Sequence, residues 1–466
     1  MKYLTLVNKD NKIKESYYKK INLTKTTSIY NKEILIEENT YEAYLKLKEF
    51  LETKNIIIGI DTAYRTVEEQ EEILKYYTKE EGKEYCEKYV AIPYYSEHHT
   101  GLAVDITIKI NNEFIVGDPN LLKYDEIFKK IHPYLADYGF ILRYPEEKRN
   151  ITGYNYEPWH LRYVGKVPAK IIFENKMCLE EYLTDFGGVL VVNKEKNMTS
   201  FDIVNEVSHI LGIKKIGHTG TLDPLATGVL VLTIGKYTKL GEELTALDKE
   251  YIAEVKEGIL TDTLDITGNI EKENNNRLEN IEESLNKFKK TYMQEVPKYS
   301  AVKVNGKKLY EYARKNEEVK LPKKEVTIKN IELINKTSTG FTFKTTVSKG
   351  TYIRSLIRDI GIENNTLLTM TELTRTRQGK FKIEDSYTLS EIKKGNFKIL
   401  KIKDIKDILD CKIIEVDKSL AKKINNGVII DNTYNIENKV MFSYQNKILA
   451  IYKKEKDKLR MHKKIN

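Results

Sequence analysis

The sequence predicts a multidomain α+β protein. Its 466 residues suit two to four domains at roughly 100 to 200 residues each. Segments with helical apolar spacing are interspersed with short β-branched runs, which indicates helices and strands within the same domains. A glycine pair at Gly187-Gly188 marks a break between two such regions. These features predict domains at 1–185 and 186–400, followed by a small β appendage at 401–466.

The first region reads as alternating helices and strands. Helical apolar spacing predicts helices at Tyr41–Thr53, Val67–Tyr77, Leu121–Tyr138 and Ala169–Leu183. Apolar or alternating runs predict extended segments at Ile56–Ile60, Gly101–Ile110 and Phe140–Arg143. This order predicts a mixed α+β unit.

The second region predicts another α+β unit, with a mixed sheet. Its predicted strands are Val189–Val192, Val229–Ile234, Tyr251–Val255 and Phe341–Val347. Its predicted helices are Phe201–Leu211, Ile281–Tyr292 and Tyr352–Ile360. The polar tract Glu271–Asn280 predicts an exposed loop. Short strands are expected in the appendage at Cys411–Val416, Val428–Ile430, Val440–Tyr444 and Ile448–Tyr452.

Charge and cysteine content narrow the classes of function. Residues 1–180 hold 27 Lys and Arg against 29 Asp and Glu, whereas residues 181–466 hold 51 against 40. The basic second part suits a phosphate-rich partner, although a solvated lysine-rich surface would have the same composition. Three scattered cysteines without a CxxC pair argue against a disulfide framework and a thiolate metal site.

The sequence also predicts where the protein works. No run of about 18 apolar residues would cross a membrane. Charges near the start, from Lys2 onward, occupy the place where a signal peptide needs an apolar run. We therefore expect a cytoplasmic protein that does not bind a membrane.

Two segments of the first region offer metal ligands. The stretch Ser96–Asp105 supplies a histidine and an aspartate separated by a glycine turn, and Glu157-Pro158-Trp159-His160 supplies a carboxylate three residues from an imidazole. Asp105 lies among apolar residues, where an ionised carboxylate needs a cationic partner. A hydrolytic zinc site uses about three such ligands and a nearby base.

These motifs, Ser96-x-His98-x-x-Gly101-x-Ala103-x-Asp105 and Glu157-Pro158-Trp159-His160, resemble the VanY-type D-alanyl-D-alanine carboxypeptidases and dipeptidases of zinc peptidase family M15. The resemblance implies three Zn²⁺ ligands, His98, Asp105 and His160. It implies Glu157 as the general base and Arg65 as the group that holds the substrate carboxylate or the oxyanion. The implied substrate is a D-Ala-D-Ala-containing peptide or dipeptide. His99 does not match the ligand pattern.

A second constellation surrounds Asp223, in the small-residue loop Gly217–Gly228. On the Asp-Pro dipeptide alone, Asp223 would be a simple N-cap. However, Arg354 lies just inside a predicted helix start, where it suits pairing with a carboxylate. Tyr251 supplies an aromatic face on a predicted strand.

These residues resemble the TruB-type tRNA pseudouridine synthases. The resemblance implies that Asp223 attacks the target uridine, that Tyr251 stacks on the flipped base and that Arg354 pairs with Asp223. It also implies substrate contacts from His218 and Leu373, no cofactor for the synthase, and a C-terminal domain that contacts RNA. The implied partner is the T-arm of tRNA.

Together the two resemblances predict a bifunctional fusion. We expect an enzyme that isomerises the T-loop uridine (uridine-55) of tRNA, joined to a zinc D-Ala-D-Ala carboxypeptidase or dipeptidase. The alternative is that the N-terminal domain is a catalytically inactive binding or positioning module and that only the synthase is active.

Overall fold

The computed structural model describes residues 2–315, 317–405, 408–409, 411–445 and 447–465, and these form two compact units. The first runs up to Phe186 and includes 208–214 and 393–396. The second comprises 187–207, 215–392 and the chain from 397 onward. Within the described ranges, every helix is too short or too polar to cross a membrane.

The first unit is built on a five-stranded sheet. Its strands, with those of a separate hairpin, are β1 (Leu23–Thr27), β2 (Glu33–Glu37), β3 (Ile58–Thr62), β4 (Ala103–Ile110), β5 (Glu113–Phe114), β6 (Phe140–Leu142) and β7 (His160–Tyr163). The sheet order is β3-β4-β7-β6, with β5 paired to β4, and β1-β2 is the hairpin.

Over the described residues, the chain up to Phe186 also forms nine α-helices. They are α1 (Glu15–Tyr18), α2 (Glu38–Glu52), α3 (Val67–Glu80), α4 (Lys83–Tyr89), α5 (Asp118–Leu122), α6 (Asp125–Ile131), α7 (Arg149–Thr152), α8 (Lys166–Glu174) and α9 (Leu179–Thr184). The apolar face of α2, with Leu47 and Leu51, packs in one core with Val104 and Ile106 of β4. That packing removes apolar surface from water and fixes β4, which carries a predicted metal ligand.

The second unit is built on a nine-stranded sheet. Its strands, with those of two short hairpins, are β8 (Gly188–Lys194), β9 (Ile216–His218), β10 (Thr227–Ile234), β11 (Lys249–Glu257), β12 (Ile259–Thr261), β13 (Ile270–Glu273), β14 (Thr291–Glu295), β15 (Lys303–Val304), β16 (Lys307–Lys308), β17 (Lys323–Lys336), β18 (Gly340–Val347), β19 (Leu368–Gln378) and β20 (Phe381–Lys382). The order is β14-β17-β18-β11-β19-β10-β8, with β20 on β19 and β9 on β10. Because β10 and β19 run parallel while their other neighbours are antiparallel, the predicted mixed sheet is confirmed.

The C-terminal region forms a five-stranded sheet of its own, β21 (Lys412–Glu415), β22 (Ile430–Asp431), β23 (Lys439–Tyr444), β24 (Lys447–Glu455) and β25 (Lys458–Lys464). The remaining helices along the chain are α10 (Ser200–Leu211), α11 (Gly241–Ala246), α12 (Ile281–Asn286), α13 (Leu309–Arg314), α14 (Ile353–Glu363), α15 (Leu389–Lys393), α16 (Ile402–Ile405) and α17 (Lys418–Asn425). Met441 and Ile451 of this sheet share a core with Val189 of β8 and Val231 of β10. The appendage therefore packs as part of the second unit.

Two predicted helices of the first unit are interrupted. Instead of one helix over Leu121–Tyr138, α5 and α6 are followed by a 3₁₀ turn at His132–Tyr138, because Pro133 has no N–H to continue the α-helical pattern. The predicted helix at Ala169–Leu183 splits into α8 and α9, and Lys176 between them has a positive φ of 50°.

Two predictions in the second unit were also wrong in part. Helix α12 ends at Asn286, and Tyr292 lies in β14, which pairs with β17. Strand pairing overrides the helical spacing there. Strand β13 (Ile270–Glu273) extends into the tract predicted as a loop and pairs with β12, and Leu278 of that tract is buried.

Gly228 allows the parallel strands β10 and β19 to approach closely. Its φ is 95°, and a Cβ atom there would lie 2.3 Å from the carbonyl oxygen of Arg375. Only glycine tolerates both conditions.

We expect Gly228→Ala to destabilise the protein by about 2–3 kcal/mol, because the strands would have to separate. The midpoint of thermal unfolding, followed by far-ultraviolet circular dichroism, should fall. Gly241→Ala is the matched control, since open space surrounds that position. Equal midpoints for the two variants would contradict the close-approach argument.

Candidate active sites

Strand pairing brings two predicted metal ligands of the first unit together. Strands β4 and β7 are antiparallel, and Asp105 lies directly opposite His160. The Oδ1 atom of Asp105 is 2.9 Å from Nδ1 of His160. Both residues are buried.

A 3₁₀ turn at Glu97–Thr100 delivers the third predicted ligand, His98. The Ser96 hydroxyl caps this turn by accepting a hydrogen bond from the His98 N–H, and Gly101 ends it with a φ of 68°. His98 Nδ1 hydrogen-bonds the Ala63 carbonyl at 2.5 Å, so Nδ1 carries the proton and Nε2 is left as a ligand atom. That Nε2 lies 3.2 Å from Asp105 Oδ2.

This donor set fits a zinc ion. One ligand atom from each of His98, Asp105 and His160 lies within 4.8 Å of the others. Burial, with the nearby Arg65 charge, lowers the pKa of His98 to about 4, so its ring is neutral, as a ligand must be. The neutral Nε2 and the carboxylate facing it are both acceptors and need a cation between them. Two imidazoles and one carboxylate leave a fourth position open.

Glu157 and Arg65 lie beside these ligands. The Oε2 atom of Glu157 is 3.7 Å from His160 Nδ1. Arg65 Nη2 is 2.9 Å from Asp105 Oδ2, and its Nη1 donates to Gln70 Oε1. All of these residues line one cleft of about 290 Å³, which is walled by Tyr77, Tyr89, Tyr144, Tyr154 and Trp159. The structure thus brings all five predicted residues of the first unit together.

A buried ionic network lies behind His160. Glu97 Oε1 accepts from Arg143 Nε at 2.8 Å and from Arg162 Nη1 at 2.6 Å. Arg143 also pairs with Glu180. The other Glu97 oxygen, Oε2, is 3.8 Å from His160 Nε2, and neither atom has a hydrogen-bond partner among the described residues. Glu97 therefore faces the His160 ring, in the place where carboxylates commonly lie behind metal-bound histidines.

His99 links the segments that carry Arg65 and Tyr94. Its Nδ1 hydrogen-bonds the Arg65 carbonyl at 2.8 Å, and its Nε2 accepts from the Tyr94 N–H at 3.1 Å. Both ring nitrogens are occupied. This supports the prediction that His99 is not a ligand.

In the second unit, side-chain hydrogen bonds hold the backbone on both sides of Asp223. The Ser200 hydroxyl accepts from the Leu222 N–H at 2.9 Å and donates to the Leu222 carbonyl at 3.2 Å. Lys194 Nζ donates to the Pro224 carbonyl at 3.3 Å. Burial lowers the pKa of Lys194 to about 8, although Asp223 opposes the shift. These contacts hold the loop in one conformation.

Arg354 forms the predicted pair with Asp223. At the start of α14, its Nη2 lies 2.9 Å from Asp223 Oδ2 and its Nη1 lies 3.5 Å from Asp265 Oδ2. It also donates to the carbonyls of Thr263 and Tyr299. The Arg354 side chain is 5% exposed, whereas that of Asp223 is 37% exposed. The Asp223 carboxylate is therefore only partly desolvated.

Tyr251 and Leu373 line the same cleft, of about 270 Å³, as Asp223 and Arg354. They lie on adjacent strands, since Tyr251 on β11 pairs with Arg375 on β19, and Ala253 pairs with Leu373. His218 lies on β9, outside the residues that line this cleft. The structure therefore brings four of the five predicted synthase residues together, and the substrate contact by His218 stays a prediction.

Several residues at these sites were missed from the sequence. Glu97 lies inside a motif that was recognised, but its arginine partners are distant in the chain. Asp265 follows Leu264, whose φ of 63° marks an unusual turn that the sequence does not reveal. Lys249 lines the synthase cleft with its ammonium bonded to the Leu247 carbonyl, and burial lowers its pKa to about 8. The sequence pattern Lys-x-Tyr does not by itself indicate that the lysine is buried in a cleft.

Comparisons with known proteins match both units. The model of the TruB family pseudouridylate synthase N-terminal domain matches residues 208–353, and the D-alanyl-D-alanine carboxypeptidase (VanY) model matches residues 33–166. The tRNA pseudouridine synthase B of Caldanaerobacter subterraneus subsp. tengcongensis is 44% identical over 263 residues, which are 56% of this chain and 91% of that protein. The protein of the same name from Fusobacterium nucleatum is 48% identical over 199 residues, 42% of this chain and 69% of that one.

Among solved structures, the vancomycin-resistance D,D-pentapeptidase VanY in complex with Zn(II) is 30% identical, covering 40% of this chain and all of that chain, with a TM-score of 0.34. Together, the cleft around Asp223 and the similarity to curated relatives define the second unit as a pseudouridine synthase. The chain belongs to the TruB family of these enzymes. Its first unit matches the D-alanyl-D-alanine carboxypeptidase (VanY) family model, so the predicted fusion of the two families is confirmed.

We expect Glu97→Gln to destabilise the first unit by about 3 kcal/mol, because it leaves two buried guanidinium groups without their shared carboxylate. Trp159, the only tryptophan in the chain, is buried in this unit, so its fluorescence during urea unfolding reports the change. Chelator should be present to exclude metal effects. Glu52→Gln, at an exposed position, is the control, and equal midpoints for both variants would show that the network contributes nothing.

Proposed function

We propose that the second unit converts the T-loop uridine (uridine-55) of tRNA to pseudouridine, with Asp223 as the nucleophile. The observation that carries this proposal is the 2.9 Å ion pair between Asp223 and Arg354 at the opening of a cleft lined by Tyr251. The basic composition of residues 181–466 supports a polyanionic substrate. A tRNA substrate also favours a cytoplasmic location.

The residues divide the chemistry between them. A base in a folded tRNA loop must be extruded before a carboxylate reaches it, and Tyr251 offers a stacking surface that offsets the lost stacking. Arg354 holds the Asp223 carboxylate in place through their 2.9 Å ion pair. Asp223 attacks the nucleotide, so the base can detach, rotate and rejoin the ribose through carbon. Leu373 covers the apolar side of the pocket.

We expect Asp223→Asn to lower the rate of pseudouridine formation in an unmodified tRNA transcript by at least about 1000-fold, since an amide is not a nucleophile here. Carbodiimide mapping locates the product. Asp385→Asn changes an exposed aspartate of the same unit and should retain the wild-type rate. Modification of the T-loop by Asp223→Asn at the wild-type rate would refute the role of Asp223, and a product elsewhere in the tRNA would refute the proposed target.

For the first unit, we propose a zinc-dependent D-Ala-D-Ala carboxypeptidase or dipeptidase. His98, Asp105 and His160 would hold the ion, Glu157 would act as general base, and Arg65 would bind the substrate carboxylate. The support is the convergence of two imidazoles and a buried carboxylate within 4.8 Å. The solved VanY relative was determined with Zn(II).

Each residue has a distinct task. When bound, zinc supplies a Lewis acid that acidifies a water molecule and polarises the peptide carbonyl. Glu157 accepts the proton of the attacking water and passes it to the leaving amine. Arg65 offers parallel N–H donors to the terminal carboxylate, which orients the scissile bond. The buried Glu97 pair with Arg143 and Arg162 keeps the His160 ring from rotating.

We expect the wild-type chain to bind one zinc ion and to release D-alanine from D-Ala-D-Ala or from a peptide ending in it. Glu157→Gln should keep the zinc but lower release by about 10²–10⁴-fold, because only the proton acceptor is lost. His160→Ala should lose the zinc. Metal content by mass spectrometry and D-alanine by a coupled oxidase assay measure the two effects.

The exposed Glu174→Gln is the control for Glu157. A wild-type chain that takes up zinc but releases no D-alanine in a Glu157-dependent manner would favour the alternative, in which this unit only positions the synthase. A chain that takes up no zinc would refute the metal site.

A further inference from the structure

Arg375 is a buried cation at the centre of the synthase sheet, and no role has so far been given to it. Its side chain is 1% exposed. It lies on β19 with Tyr251 of β11 opposite it on one side and Gly228 of β10 on the other. One residue thus adjoins both the predicted stacking tyrosine and the end of the loop that carries Asp223.

The guanidinium contacts both of these elements. Its Nη2 donates to the carbonyl of Gly220 at 2.9 Å, within the Gly217–Gly228 loop. Its central carbon lies 5.9 Å from the centroid of the Tyr251 ring, and the Tyr251 phenol is close enough to influence the pKa of the guanidinium. A Cβ atom at Gly220 would lie 2.9 Å from Nη1, so glycine leaves the room that the guanidinium occupies.

Removing the Arg375 charge from water costs free energy. Burial lowers the pKa of Arg375, and the Tyr251 phenol is the group that opposes the shift. Its Nε has no hydrogen-bond partner among the described residues. A buried charge without a carboxylate partner destabilises a fold, so a purely structural contact at this position would be served better by an uncharged side chain.

We propose that Arg375 is a positioning residue of the synthase. It holds the Tyr251 phenol and the Gly220 carbonyl in a fixed relation, so that the base stacked on Tyr251 faces the carboxylate of Asp223. This inference rests on the proposed isomerisation of tRNA uridine. A planar guanidinium suits the task, because its donors diverge in a rigid fork and reach two acceptors at once, whereas an ammonium is a single flexible point.

The test compares Arg375→Met, Arg375→Lys and the wild type in single-turnover pseudouridine formation on an unmodified tRNA transcript, with the Kd for that transcript measured by filter binding. A misplacement of about 1 Å costs on the order of 100-fold in rate. We expect Arg375→Met to lose about 10- to 100-fold in rate with a Kd within about threefold of wild type. Arg375→Lys should recover part of the rate.

A double-mutant cycle adds a readout that general destabilisation would not move. If Arg375 acts through the phenol, Arg375→Met should lower the rate by a smaller factor in a Tyr251→Phe background than in the wild type.

Arg377→Met is the matched control, since this neighbouring arginine on β19 contacts Glu250 and does not line the cleft. It should leave the rate unchanged. Should the Met variant not fold, the Lys variant tests the same point with a reduced rate and an unchanged Kd.

Three results would overturn the inference: an Arg375→Met rate within twofold of wild type, a loss of rate matched by an equal loss of tRNA affinity, or strict additivity with Tyr251→Phe. A wild-type chain that leaves the T-loop uridine unmodified would instead refute the proposed function. The two failures are therefore distinguishable.

Discussion

Buried arginines that pair with carboxylates hold the residues of both candidate active sites in place. In the first unit, Arg143 and Arg162 converge on Glu97, whose free oxygen faces His160. In the second unit, Arg354 lies between Asp223 and Asp265. A charge removed from water is tolerated only when an opposite charge or well-placed dipoles surround it, so each cluster has few alternative arrangements. The side chains that contact these clusters are therefore held in fixed positions, as a preorganised site requires.

Sheet register then determines which residues meet. Asp105 and His160 are distant in the sequence, yet a single antiparallel pair between β4 and β7 places them opposite each other. In the second unit, β19 pairs with β10 and β11 and so brings the Asp223 loop to Tyr251. A slip of one residue in either sheet would turn these side chains to the other face. The arrangement of the candidate site residues is thus a consequence of apolar alternation along the strands.

The sequence allowed β3, β4 and β6 of the first sheet, β8, β10, β11 and β18 of the second, and most of the site residues to be predicted, because periodicity and short motifs are local signals. Strands β7, β17 and β19 were missed. It failed where the decisive partner is remote. Tyr292 ends a segment with helical apolar spacing but pairs with β17, and no local sequence pattern indicates that pairing. The carboxylate of Asp265 and the two arginines around Glu97 act over long separations in the chain. His218 shows the opposite case, in which a residue inside a recognised motif lies outside the cleft lining.

The shared core of the C-terminal sheet has a practical consequence. Met441 and Ile451 pack with Val189 and Val231, so a gene shortened before the appendage would uncover an apolar surface on β8 and β10. Such a fragment would be prone to aggregate even though every residue of the uridine cleft is retained.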